Sequence, residues 1–314
     1  MNRNLLIALA LLLGVGWSTG SARADDKLTV ILDWFVNPDH AAIAIAKEGG
    51  YFKKAGLDVT LIEPADPATP PRLVAAGQGD IAVTYQPTFY LEVKDGMNLQ
   101  RVGAAIETPL NTLIALESGP IKTLADLKGK TIGYSIAGYE QALLETLLKT
   151  AGLTLKDVKL VDVNFALTQA LVSGQVDAVI GGYRNFELTE MKLAGHPGRV
   201  FDPEDYGFPP YDELIYVTTP EKAKSPAIRA FLDATEQATL YILNHPDDAW
   251  AMFIKAYPKL DDDLNRQAWK DTVPRLAASP AAVDPERYIR FAEFLKAKGL
   301  IDKVEPVERY IGAR

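Results

Sequence analysis

Few residues in this sequence could do chemistry, and those that stand out suit binding better than bond-making. Trp34 follows the first apolar run, at 28–32, and Tyr85 and Tyr183 each follow closely on a short buried-looking run, at 81–84 and 178–180. Glu187 comes four residues after Tyr183, so the two would share a face if that turn is helical. Broad aromatic faces with a placed carboxylate are what a flat ring bearing hydrogen-bond donors requires. Catalytic patterns do not appear. His40, His196 and His245 are scattered without metal-ligand spacing, and there is no nucleophile elbow or phosphate loop. The chain has no cysteine, which rules out disulfides and thiolate metal sites. Neither an enzyme nor a bound metal or cofactor is expected.

The elements that must position these residues read as alternating strands and helices. The run 28–32 is a strand, and Asn37-Pro38 supplies a helix cap followed by proline at the first helical position. That helix runs to about Glu48, Gly49-Gly50 stops it, and 57–62 is the next strand. Further strands are predicted at 81–84, 102–106, 112–116, 131–134, 159–163, 178–180 and 214–218. Helices are predicted at 73–76, 87–95, 124–127, 139–151 and 167–173. Strands and helices in alternation indicate an open α/β sheet. From Ser225 onward the pattern is nearly all helical, with segments at 225–244, 247–256, 264–277 and 285–298. Gly181-Gly182, like Gly49-Gly50, reads as a turn.

One internal echo relates the two halves. Leu73-Val74-Ala75-Ala76-Gly77-Gln78-Gly79-Asp80-Ile81-Ala82-Val83 is matched loosely by Leu171-Val172-Ser173-Gly174-Gln175-Val176-Asp177-Ala178-Val179-Ile180. Each copy is a helix end, a glycine turn and a strand followed by a tyrosine, at the carboxyl end where open α/β sheets bind ligands. Two such copies facing each other would form a cleft.

Residues 1–24 combine Arg3, an apolar run from 5 to 15 and Ala22-Arg23-Ala24, the pattern of a secretory signal peptide cleaved near Ala24. The apolar run is shorter than the ~20 residues that span a bilayer, so no membrane anchor is expected in the mature chain. Loss of Arg3 and Arg23 takes the net charge from −8 to −10, a poor match for nucleic acid or anionic lipid. The expected location is the periplasm.

The stretches LDWFVNPDHAAIAIAKEGGYFKKAGLDV, LVAAGQGDIAVTYQP and IGGYRNFE, with GHP soon after, resemble the thiamine-pyrimidine-precursor binding proteins of bacterial ABC importers. That family is shared with the yeast-type thiamine-pyrimidine synthase, and the resemblance covers nearly the whole mature chain. It implies the type II fold of periplasmic binding proteins, two α/β lobes joined by crossover strands with a ligand between them. The expected lobes are 25–115 plus 216–314, and 116–215, with crossings near 114–118 and 213–217. The expected partners are a small pyrimidine ligand, an ABC permease and its ATPase.

The resemblance assigns Trp34 and Tyr183 to stacking and Glu187 to the aminopyrimidine edge. Asn37, His40, Tyr85, Gln86, Asn111, Tyr139 and Asn185 are further candidates for lining the cleft. Alternatives within the fold are a riboflavin or cytosine-like ligand, or a sulfonate, for which Arg184 and Arg72 are the available cations. Synthase-like activity is the enzyme alternative. That enzyme carries a lysine four residues after the aspartate matching Asp80 and a sacrificed histidine four further on, and the corresponding residues here are Thr84 and Thr88. Its cysteine-rich segment, which would fall at Phe208-Pro209-Pro210-Tyr211, has no counterpart.

Overall fold

The computed structural model describes residues 25–312. The signal peptide expected at 1–24 lies outside them. The strands are β1 (Asp26–Ile31), β2 (Leu57–Ile62), β3 (Ile81–Thr84), β4 (Gln100–Ile106), β5 (Asn111–Leu116), β6 (Thr131–Tyr134), β7 (Lys159–Asp162), β8 (Ala178–Tyr183), β9 (Gly198–Phe201) and β10 (Leu214–Thr218). They form two five-stranded sheets, ordered β2-β1-β3-β10-β4 and β7-β6-β8-β5-β9.

The sheets share one plan, parallel at the first two pairings and antiparallel at the last two. The two copies of the sequence echo put β3 and β8 at the same position in their sheets. Equivalent aspartates fasten each copy to its neighbouring strand. Asp80 accepts from Thr29 N–H at 2.7 Å, and Asp177 accepts from Thr131 N–H at 2.8 Å.

Segments 107–110 and 202–213 cross between the sheets. The sequence reading puts the first crossing inside β5 and gives residues up to 115 to the first lobe, yet β5 is paired along its length with β8 and β9 of the second sheet. Likewise Leu214 and Ile215, given to the second lobe, pair with β4 of the first. Chain alternation marks a strand but carries no information about which sheet it joins. Glu213 ties the crossings together: its carboxylate accepts from the backbone N–H of Leu110 at 2.5 Å and of Asn111 at 2.8 Å.

Local signals explain the helices. Asn37 caps the Pro38–His40 turn that leads into Ala41–Glu48, its side chain accepting from Asp39 N–H at 2.7 Å. Ser225 caps Pro226–Asn244 in the same way, by accepting from Ile228 N–H. That long helix packs on the first lobe, with Phe231 stacked on Phe52 at 5.2 Å between ring centroids. The helix expected at 264–277 ends at Thr272, because Pro274 next to it has no N–H to donate, and a 3-10 turn, Val273–Arg275, follows.

Among the elements that escape the sequence reading are the short helices Tyr51–Lys54 and Val307–Tyr310, the helix Glu187–Leu193, which has no side-chain cap, and the four-residue edge strand β9. Gly181-Gly182 is not a turn but the end of β8. Among the described residues no helix is long and apolar enough to cross a membrane.

Candidate functional site

Where the two lobes face each other lies a narrow cleft with a cavity volume of about 30 Å³ for the centre of a water-sized sphere. From the first lobe it is lined by Asp33, Trp34, Asn37, Asp39 and Tyr85, and from the second by Asn111, Ile136, Glu140, Leu167, Gly181, Tyr183, Phe186 and Glu187. Trp34 and Asp33 sit in the bend that follows β1, and Tyr85 follows directly on β3. Tyr183 ends β8, so the aromatic groups stand at strand carboxyl ends on both sides.

Trp34 is braced edge-on by Phe165 of the second lobe, 4.5 Å between centroids at 77°. Phe35 touches the same ring at 4.5 Å. Asp33 is buried and fully engaged, one oxygen 2.9 Å from His40 Nε2 and the other accepting from the Tyr85 hydroxyl at 2.8 Å. His40 Nδ1 accepts from Asn37 N–H at 3.3 Å, which leaves the proton on Nε2 to be donated to Asp33.

Glu187 is the first residue of its helix, so its spacing from Tyr183 is that of a strand-to-helix turn and not of a shared helical face. Its Oε2 accepts from Tyr183 N–H at 2.7 Å. Glu140 opens the helix Tyr139–Thr150 and folds back, with Oε2 accepting from Ser135 N–H at 2.7 Å and Ile136 N–H at 3.1 Å. Burial pushes the carboxyls of Glu187 and Glu140 up to about 8 and that of Glu213 up to about 7, because the ionised form has lost its water. Burial also raises Asp39 and carries the Tyr183 hydroxyl well above its ordinary range.

Six of the ten residues singled out from sequence line the cleft: Trp34, Asn37, Tyr85, Asn111, Tyr183 and Glu187. The other four turn to internal tasks. His40 holds Asp33. The Gln86 side-chain oxygen accepts from Asp212 N–H at 2.7 Å, and the Tyr139 hydroxyl meets that of Tyr211 at 2.7 Å. Asn185 donates to Asp39 at 2.6 Å and to Thr272 at 2.7 Å, joining one lobe to the other beside the cleft.

Seven lining residues escape the sequence reading, Asp33, Asp39 and Glu140 above all. Asp33 and Glu140 adjoin Trp34 and Tyr139 in sequence, which is the one signal that could have found them. Among the described residues no lysine or arginine lines the cleft. Arg184, the nearest candidate in sequence, is paired outside it with Glu204 at 2.8 Å and Asp202 at 3.4 Å. Arg72 is exposed. A cleft of carboxylates, amides and rings without a cation favours a flat ligand rich in hydrogen-bond donors, neutral or cationic, and opposes an anion.

A family model described as NMT1/THI5 like matches residues 37–249. A Haemophilus influenzae protein connected by its name with thiamine biosynthesis is 50% identical over 288 residues, covering 91% of this chain and 92% of its own. The formylaminopyrimidine-binding protein of Halalkalibacterium halodurans is 34% identical over 248 residues, 77% of this chain and 75% of its own. A 4-amino-5-hydroxymethyl-2-methylpyrimidine phosphate synthase of Saccharomyces cerevisiae is 28% identical over 257 residues, 78% and 75% of the two chains. Among solved structures, the alkanesulfonate-binding protein of Xanthomonas axonopodis pv. citri bound to MOPS superposes with a TM-score of 0.73 at 17% identity, covering 93% of this chain and 100% of that one. That likeness identifies the two-lobed architecture as the periplasmic-binding-protein fold, and at such identity it speaks for the fold alone.

Proposed function

The chain belongs to the NMT1/THI5-like family, and from that premise we propose that it is a solute-binding protein that captures an aminopyrimidine precursor of thiamine for an ABC importer. The observation that carries this reading is the make-up of the cleft. Trp34 and Tyr183 line it from opposite lobes and Glu187 lines it with them, with no lysine or arginine among the described lining residues. An exocyclic amine donates to such a carboxylate, and a ring nitrogen protonated beside it would gain further. The name of the Halalkalibacterium halodurans relative supports the same ligand class. A riboflavin or cytosine-like ligand is the remaining alternative, and the lack of a lining cation argues against a sulfonate.

Binding rather than catalysis is favoured by Thr84 and Thr88, which stand where the synthases carry their lysine and sacrificed histidine. Neither threonine lines the cleft. Residues 1–24, read as a cleaved signal, would deliver the mature chain to the periplasm, where a permease and its ATPase would receive the ligand.

Calorimetry on the mature protein tests the reading. A dissociation constant at or below about 1 μM, about −8 kcal/mol, is expected for an aminopyrimidine. Absence of heat with every pyrimidine, together with tight binding of a sulfonate, contradicts it.

A further inference from the structure

Glu140 has a disposition that stapling its own loop does not account for. Its Oε2 receives both the Ser135 and Ile136 N–H groups, while none of the described residues donates to Oε1. The residue is buried, yet it lines the cleft. The floor beneath it is shaped to admit it. Gly181 sits at φ +103°, and a Cβ there would come within 2.6 Å of the Glu140 carboxyl carbon. The neighbouring Gly182 has the Glu187 Cβ close to its own missing side chain, at 3.6 Å. Two acidic side chains thus pack beside successive glycines of one strand, each with an oxygen held by backbone N–H. Asn111 meets them there, accepting from Gly181 N–H at 3.1 Å and leaving its NH2 for the cleft.

We propose that Glu140 is a second ligand-reading carboxylate, which selects pyrimidines carrying a further hydrogen-bond donor on a ring substituent in addition to the amine read by Glu187. The inference rests on the aminopyrimidine reading of the cleft. A loop staple needs only Oε2, and an amide oxygen would serve it equally well. Among the described residues Oε1 has no protein donor, and Glu140 lines the cleft, so an N–H or O–H of a ligand can supply the hydrogen bond it lacks. Hydroxyl, amine and amide N–H substituents all supply one, and a protonated amine adds charge. A methyl group supplies none.

Titration calorimetry on the mature chain decides the matter, using three 4-amino-2-methylpyrimidines that bear hydroxymethyl, aminomethyl or methyl at ring carbon 5. The parent is expected to bind the two donor-bearing compounds at least ~10-fold more tightly than the methyl compound, the lower end for a hydrogen bond to a charged group. Glu140→Gln should remove that preference, weakening the cationic aminomethyl compound most and the methyl compound least. Glu187→Gln should weaken all three alike. A parent that does not distinguish methyl from donor overturns the proposal even if Glu140→Gln fails to fold. Equal weakening of all three by Glu140→Gln overturns it too, since that marks a loop staple. If the parent binds none of the three, the aminopyrimidine reading itself falls and takes this inference with it.

Discussion

Asn185 of the second lobe donates to the Asp39 carboxylate of the first at 2.6 Å, and Thr272 closes the triangle by donating to the same oxygen at 2.8 Å. All three side chains are buried, and Asp39 also faces the cleft. The contact spans the two lobes, so a hinge that parted them would break it. Asn185→Ala removes the bridge and leaves Asp39 short of one donor, at a cost of about 1–3 kcal/mol to the closed form. Ligand affinity should fall ~5- to 150-fold with the lobes' own folding little changed. Small-angle scattering is expected to show ligand-bound Asn185→Ala more open than the parent. Identical affinity and radius of gyration would remove the latch from consideration.

Glu187→Gln keeps the size of the side chain and its hydrogen bond to Tyr183 N–H but replaces one acceptor with a donor. Affinity for an aminopyrimidine is expected to drop ~10- to 150-fold, from the 1.5–3 kcal/mol of a hydrogen bond to a charged group. Trp34→Ala removes a stacking face and should weaken any flat ring, whether or not it carries an amine. Binding assays with matched rings, with and without the amine, separate the two effects.

Gly181→Ala should disable the cleft through two independent strains. Its φ of +103° is hostile to any side chain, and the new methyl would overlap the Glu140 carboxyl. Together they predict a loss of ~1–3 kcal/mol in thermal unfolding and loss of ligand binding. Adding Glu140→Ala to Gly181→Ala relieves the overlap alone, so stability should recover in part. If Gly181→Ala melts like the parent and binds ligand, the glycine is not needed for space.

The buried carboxyls set the direction of the pH dependence. Glu140 and Glu187 stand at about 8 and Glu213 at about 7, against an ordinary 4.5. Between those limits the folded protein holds protons that the unfolded chain has released, so unfolding free energy falls as pH rises. The Tm of the ligand-free protein should be highest near pH ~5 and decline toward pH ~8, and Glu187→Gln should flatten part of the slope. Calorimetric scans across that interval test it, and a Tm that climbs with pH contradicts the burial of these groups.

Much of the architecture was legible because it is written in local signals. Strand alternation, the Asn37-Pro38 and Ser225-Pro226 caps and the repeated helix–glycine–strand echo each depend on neighbours a few residues away. The weak elements were missed for the same reason. The helix after Phe186 has no capping side chain, and β9 is a four-residue edge strand held mainly by its pairing with β5. Sheet membership of β5 and β10 was likewise invisible, since pairing joins residues more than 60 apart in sequence.

In the site, sequence alone determined that rings and Glu187 stand at strand ends, where an open α/β fold places its ligand. Only the tertiary structure decided which polar groups face inward. Asp33, Asp39 and Glu140 look in sequence like solvated acids, and they become buried cleft residues because the fold packs Asp33 on His40 and Tyr85, brings Asn185 to Asp39 and leaves room for Glu140 at Gly181. Asn185 and His40 look like ligand donors, and they are consumed by Asp39 and Asp33 because a buried carboxylate takes the nearest available hydrogen.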